Sequence, residues 1–182
     1  MPRLIGENII LREYKQEDLI EMNEWKKDRE LTNNLSDIFL RPHTLKNTEE
    51  FLSFVLTNKT NDIYYVIADK NTENYIGQID INIDWINRIG NLGIVIGRSE
   101  YRNNGIGASA IMLLLDYAFK RMNLNKIQLD VHADNERAIK CYKKCGFIIE
   151  GTLRDKIFRD GKYVNVHIMG ILKKEYEEKW PS

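Results

Sequence analysis

The sequence predicts a single α/β domain, a mixed and mostly antiparallel sheet of about seven strands flanked by about four helices. Three observations point there. Segments of strand period alternate with segments of helical period through all 182 residues, with no repeat, low-complexity tract or Pro/Gly-rich linker between them. Over most of residues 75–85, Ile76, Ile79, Ile81 and Ile83 alternate with Gln78, Asp80, Asn82 and Asp84, so one face is wet, as in an antiparallel strand. Near the end, Asp160-Gly161 stands between two alternating apolar runs, a strong hairpin signal.

The elements follow in order. Residues 8–12 read as a strand and 16–28 as a helix, with Leu19, Met22, Asn23 and Trp25 on its faces. Residues 31–43 are punctuated by polar residues and read as an irregular or substrate-facing loop. A helix over 47–58 carries Phe51, Leu52, Phe54, Val55 and Leu56. Strands over 63–68 and 75–85 are joined by the turn 70–74. After the turn 87–90 comes a strand over 91–97. An amphipathic helix over 105–122 then follows, opened by glycines and carrying Ile106, Ala110, Ile111, Leu114 and Phe119. Residues 126–131 read as a buried strand. Asn135 suits an N-cap and Gly146 a C′ position, which brackets the next helix. Strands over 147–158 and 163–172 flank the Asp-Gly turn.

Composition narrows the function classes. With 43% hydrophobic residues, the chain can bury one substantial core and is short for two domains, so residues 1–182 read as one domain. Lys+Arg and Asp+Glu number 27 each, which argues against a protein whose main task is holding nucleic acid. No apolar run approaches the roughly 18 residues of a membrane span, and Met1-Pro2-Arg3 does not open a secretory signal. Cys141 and Cys145 match neither a disulfide scaffold nor a zinc site, so a reduced, cytoplasmic protein without metal is expected. Both cysteines read as core or surface thiols pointing away from the working face of their helix.

The most informative stretch is Tyr101-Arg102-Asn103-Asn104-Gly105-Ile106-Gly107, a basic residue and glycines between a strand and an apolar helix. Such a turn presents backbone N–H groups to an anion at the positive end of a helix. A P-loop needs Lys followed by Ser or Thr after its last glycine, and here Ala108-Ser109 follows Gly107. Gly105, Gly107 and Ala110 satisfy a dinucleotide fingerprint, with Asp130 near the right distance. Yet that fold turns from its strand directly into the glycines, and here a longer approach and several upstream strands intervene.

A second cluster, Asn135-x-x-Ala138-x-x-x-Tyr142-x-x-x-Gly146-Phe147, lies one helix and one strand further on. The two clusters together resemble the GNAT superfamily of acetyl-CoA-dependent N-acetyltransferases, across the whole order of elements. The resemblance implies a GNAT fold whose fourth and fifth predicted strands splay apart. It implies that main-chain amides of Arg102, Asn103, Asn104, Gly105, Ile106, Gly107 and Ala108 bind the pyrophosphate of acetyl-CoA. Val95, Ile96 and Gly97 would hold the pantetheine arm, with Asn135, Tyr142 and Lys144 completing the cofactor site. Tyr142 would be the general acid toward the departing thiolate. Elementary chemistry agrees: a phenol with a pKa near 10 stays protonated at neutral pH and can donate to a thiolate that is a weaker base by roughly one to two units.

The general base is less determined. Many relatives carry Glu-Leu-Gly at the start of the splayed strand, where this chain has Asn91-Leu92-Gly93. Asp130, His132, a bound water or an amine of low pKa are the alternatives. The second half resembles the branch of ribosomal-protein N-terminal and polyamine (spermidine) acetyltransferases, whose members often form dimers and sometimes larger rings. Its partners would be acetyl-CoA and a primary amine: a protein N-terminus, a polyamine or another small amine. Asp28, Glu30 and Asp37 could serve a polyamine, and Trp25, Phe39 and Trp85 could wall an acceptor pocket. Their ordinary readings are solvated surface and core. A catalytically lapsed acetyl-CoA-binding regulatory module is the second function class, left open by Asn91.

Overall fold

The structure, a computed structural model, describes residues 2–35, 42–57 and 61–181. Its strands are β1 (Leu4–Ile5), β2 (Ile9–Arg12), β3 (Ile63–Asp69), β4 (Tyr75–Asp84), β5 (Ile89–Ile96), β6 (Lys126–His132), β7 (Ile148–Arg159) and β8 (Lys162–Leu172). They form one eight-stranded sheet in the order β1-β2-β3-β4-β5-β6-β8-β7. Neighbours are antiparallel except β5 and β6, which run parallel. The sheet thus has one strand more than the sequence suggested. The extra strand, β1, is two residues long, too short for any period to show.

The α-helices among the described residues are α1 (Asp18–Glu24), α2 (Arg29–Thr32), α3 (Leu45–Leu56), α4 (Ile106–Asp116), α5 (Glu136–Lys144) and α6 (Lys173–Lys179). The helix expected over 16–28 is broken. A 3₁₀ turn over Trp25–Lys27 follows α1, and Asp28 adopts an extended conformation and restarts the chain as the N-cap of α2, accepting from the Leu31 N–H. The long helix expected over 105–122 is α4 running into a π turn over Tyr117–Arg121. Helix α6 had no apolar period to betray it. Only Tyr176 is buried, its hydroxyl donating to Asp116 at 3.1 Å and its ring tilted against Phe119.

Two cores lie on opposite faces of the sheet. On one, α4 packs Ala110, Ile111 and Leu114 onto Leu11, Tyr65, Ile79 and Leu129. On the other, Met22, Trp25, Leu31 and Leu52 from α1, the 3₁₀ turn, α2 and α3 cover Ile10, Val66, Ala68 and Val95. The second layer is tied down by a buried ion pair. Arg12 Nη1 and Nη2 donate to the two oxygens of Asp18 at 2.9 and 2.7 Å, and the same guanidinium donates to the carbonyls of Glu13 and Glu73.

One seam of the sheet is open. Strand β5 pairs with β6 only through Ile89↔Lys126, Gly90↔Ile127 and Asn91↔Gln128. Beyond Asn91 it stays with β4 as far as Ile96↔Gly77, while β6 continues against β8 to His132. The two strands therefore diverge in a V, as the family resemblance implied. The β7–β8 hairpin closes as expected, with Arg159 opposite Lys162 and both Asp160 and Gly161 at positive φ, the backbone a two-residue type I′ turn requires.

Candidate active site at the open seam

The apolar face of α4 anchors it on the sheet, and its N-terminus faces the splay. Gly105 is the N-cap, with φ +78, a left-handed conformation that a side-chain-bearing residue adopts at a cost. No side chain caps this end, and the first backbone bond is from Ser109 N–H to Gly105 at 3.0 Å. The N–H groups of Ile106, Gly107 and Ala108 therefore have no acceptor within the helix and sit at its positive end.

Arg102 organises this turn from its side chain. Nε donates to Ile96 O at 3.0 Å, Nη2 to Gly97 O at 2.7 Å and Nη1 to the Asp28 carboxylate at 2.7 Å. The guanidinium holds the Asp28 carboxyl below the ordinary carboxylate range. One side chain thus fixes the end of β5, the glycine turn and the start of α2 together.

A cavity of about 320 Å³ occupies the splay. Its β5 wall is Ile94, Val95 and Ile96, and its floor at α4 includes Arg102, Asn103, Gly105, Gly107 and Ala108. From α5 come Asn135, Ala138, Tyr142 and Lys144. Asn135 also caps α5, accepting from Ala138 N–H at 3.2 Å. At the other end Gly146 N–H bonds to Lys143 O and Phe147 N–H to Tyr142 O, a Schellman motif in which Gly146 has φ +92. The helix turn carrying Tyr142 is locked by this cap. Burial pushes the Tyr142 phenol well above its ordinary range, with the neighbouring cysteine thiols adding to the rise, so it is a proton donor throughout the physiological range.

Three of the predicted site residues do not line the cavity. Gly97 lies against the Trp25 ring, Asn104 donates to Glu100 O at 3.0 Å, and Ile106 packs toward the core. Cys141 departs from expectation in the other direction: it lines the cavity, because it lies three residues after Ala138 on the same face. Cys145 is buried beneath it, as a core thiol. Sequence reasoning missed Arg137 and Lys140, which with Lys144 form a cationic row on the rim. Their spacing on one helix was the available signal. The segment read as an irregular or substrate-facing loop begins inside α2, and Leu31, Asn34 and Leu35 supply a further wall; residues 36–41 of it lie outside the described residues.

The residues weighed as bases or acceptor contacts fare differently. Asn91 Oδ1 accepts from Gln128 Nε2 at 2.9 Å, exactly where the strands part. Asp130 is exposed. His132 Nδ1 lies 3.1 Å from Arg159 Nη1, a group that can only donate, so that lone pair is engaged. Neither lines the cavity. Asp28 is committed to Arg102, Glu30 is exposed, and Asp37 and Phe39 lie outside the described residues. Trp25 is a core residue donating to Tyr75 Oη at 3.0 Å, and Trp85 is exposed at the far end of β4.

Free helical N–H groups, a cationic row and an unpaired strand edge suit a long anionic ligand ending in a neutral arm, as acetyl-CoA is. Among the described residues no group of side chains could hold a metal ion, and no helix is long and apolar enough to cross a membrane. The chain is 36% identical over 113 residues to a spermidine N(1)-acetyltransferase of Vibrio cholerae, covering 62% of this chain and 64% of that enzyme. It is 28% identical over 182 residues to the uncharacterized N-acetyltransferase p20 of Bacillus licheniformis, covering 97% and 99% of the two chains. The crystal structure of spermidine N-acetyltransferase from Vibrio cholerae in complex with CoA and spermine superposes with a TM-score of 0.82 at 27% identity, over 94% of this chain and 99% of that one. The acetyltransferase (GNAT) domain family matches residues 8–148, and with the open seam and the glycine turn in place the chain belongs to that family of acetyl-CoA-dependent acyltransferases.

Proposed function

We propose that this chain transfers the acetyl group of acetyl-CoA to a primary amine by direct attack in a ternary complex, with a polyamine as the acceptor class. The observation that carries the reading is a half-buried, protonated phenol, Tyr142, on the wall of the same cavity into which the α4 N-terminus opens. The amides of Ile106, Gly107 and Ala108 receive the pyrophosphate, aided by Arg137, Lys140 and Lys144. The edge of β5 at Val95 and Ile96 holds the pantetheine arm, and Tyr142 protonates the leaving thiolate. Similarity in sequence and in fold to spermidine N-acetyltransferase of Vibrio cholerae supports the acceptor class. The free thiols Cys141 and Cys145 fit a reducing, cytoplasmic setting.

Thiol release from acetyl-CoA, followed across polyamines, peptides with free N-termini and small amines, tests this reading. Polyamines are expected to give the highest kcat/KM. The regulatory alternative is favoured by one observation, the amide rather than carboxylate at Asn91. Tight acetyl-CoA binding with no amine accelerating thiol release would establish that alternative instead.

Gly105→Val tests the anion seat separately. A β-branched residue at φ +78 costs roughly 1–2 kcal/mol and displaces the turn. Acetyl-CoA Kd, measured by calorimetry, is expected to rise about tenfold or more. An unchanged Kd would remove the pyrophosphate from this turn.

A further inference from the structure

We propose that Asp80 takes the proton from the acceptor amine, filling the role left empty at Asn91; this rests on the acetyl-transfer reading above. Asp80 stands on β4 directly opposite Gly93 of β5, on the face covered by α1 to α3. Its carboxylate lies over the β5 backbone: a Cβ on Gly93 would meet Asp80 Oδ1 at 2.9 Å and Oδ2 at 3.0 Å. Only glycine at 93 leaves room for it. Val95, which lines the cavity, lies two residues on along the same face, a step of roughly 6–7 Å. Asp80 itself stands just outside the cavity wall, beside Val95 rather than on the lining, so the proton reaches it through a water.

The surroundings suit a base. Asn82 Nδ2 donates to Oδ2 at 3.1 Å, and Oδ1 accepts no hydrogen bond from a described residue. The neighbours facing it are Tyr64 across β3, Asp62 before that strand, Tyr14 beyond β2, and neutral Gln78, Asn82 and Asn91. Burial, with the Asp62 charge adding to it, raises the Asp80 carboxyl to about 7. Asn91 and Gln128 are held to each other at the apex of the V, so the carboxylate comes from the neighbouring strand.

The step balances. The substrate ammonium gives one proton through that water to the Asp80 carboxylate, which later releases it to solvent. The freed amine forms the N–C bond as the C–S bond breaks, the thiolate takes the Tyr142 proton, and the phenolate recovers a proton from the nitrogen. The products are the acetamide, free CoA thiol and one proton.

Asp80→Asn keeps the side chain's shape. For a strongly basic alkylamine it is expected to lower kcat about a hundredfold or more. For a weakly basic amine, already neutral at the assay pH, the loss should be only a few-fold, with acetyl-CoA Kd unchanged. In the unaltered chain the acid limb of kcat/KM, which reports the free enzyme, should have its midpoint at about 7, a readout that needs no variant. Equal losses for both amines, undiminished turnover in the variant, or no limb in that range overturns the assignment and leaves acetyl transfer standing. Acetyl-CoA binding without turnover by the unaltered chain overturns both.

Discussion

Tyr142→Phe is expected to lower acetyl transfer to amines by two to four orders of magnitude, the range spanned by general acid–base contributions, while acetyl-CoA binds as before. The substitution removes one hydroxyl, which has no hydrogen-bond partner among the described residues, and keeps the ring that packs 6.0 Å from Phe147. The Schellman cap after Tyr142 and the Asn135 cap before it are untouched, so the helix should hold its place. What is lost is a half-buried donor whose raised pKa keeps it protonated until the thiolate needs it. Steady-state kinetics beside a binding isotherm separates the outcomes. A large rise in Kd with unchanged kcat would make Tyr142 a binding residue, and the departing thiolate would then need another proton donor.

The second large effect concerns stability. Asp18→Ala leaves the Arg12 guanidinium buried and unpaired, and breaking such a pair costs about 3–5 kcal/mol. The lost carboxylate also accepts from Lys15 N–H at 2.8 Å, so the entry to α1 loosens as well. Domains of this kind are stable by about 5–15 kcal/mol, so the loss is a large fraction of the total. Thermal unfolding should shift down by roughly 10 °C. Replacing both partners with apolar residues of similar volume should recover most of it, because no buried charge then remains. A shift of under about 2 °C in the single variant would mean that the second layer is held by packing alone.

The legible parts of this chain were those whose cause is local. Period-two strands, the Asp-Gly hairpin and the Asn135 and Gly146 caps each depend on a few adjacent residues. The break at Asp28 was not legible, because the carboxylate that caps α2 is anchored by Arg102, 74 positions away. Helix α6 carries almost no apolar face and exists because Tyr176 finds Phe119 and Asp116. At the site, the glycine turn and Tyr142 announce themselves by spacing. Asp80 reads in sequence as an ordinary outward residue of a wet face. Its character comes from Gly93 and Asp62, and those neighbours are set by the sheet register.

The divergence of β5 from β6 has a thermodynamic side. A sheet that stops pairing in its middle gives up cohesion there, and the proposed cosubstrate, seated along the bare edge of β5, restores part of it. The ligand then acts as a removable member of the sheet, and the folded population becomes a function of its concentration: a hundredfold excess over Kd adds about 2.7 kcal/mol. A pool of acetyl-CoA would thus feed the reaction and protect the fold at once, and depletion of that pool would expose the enzyme to unfolding along the same seam.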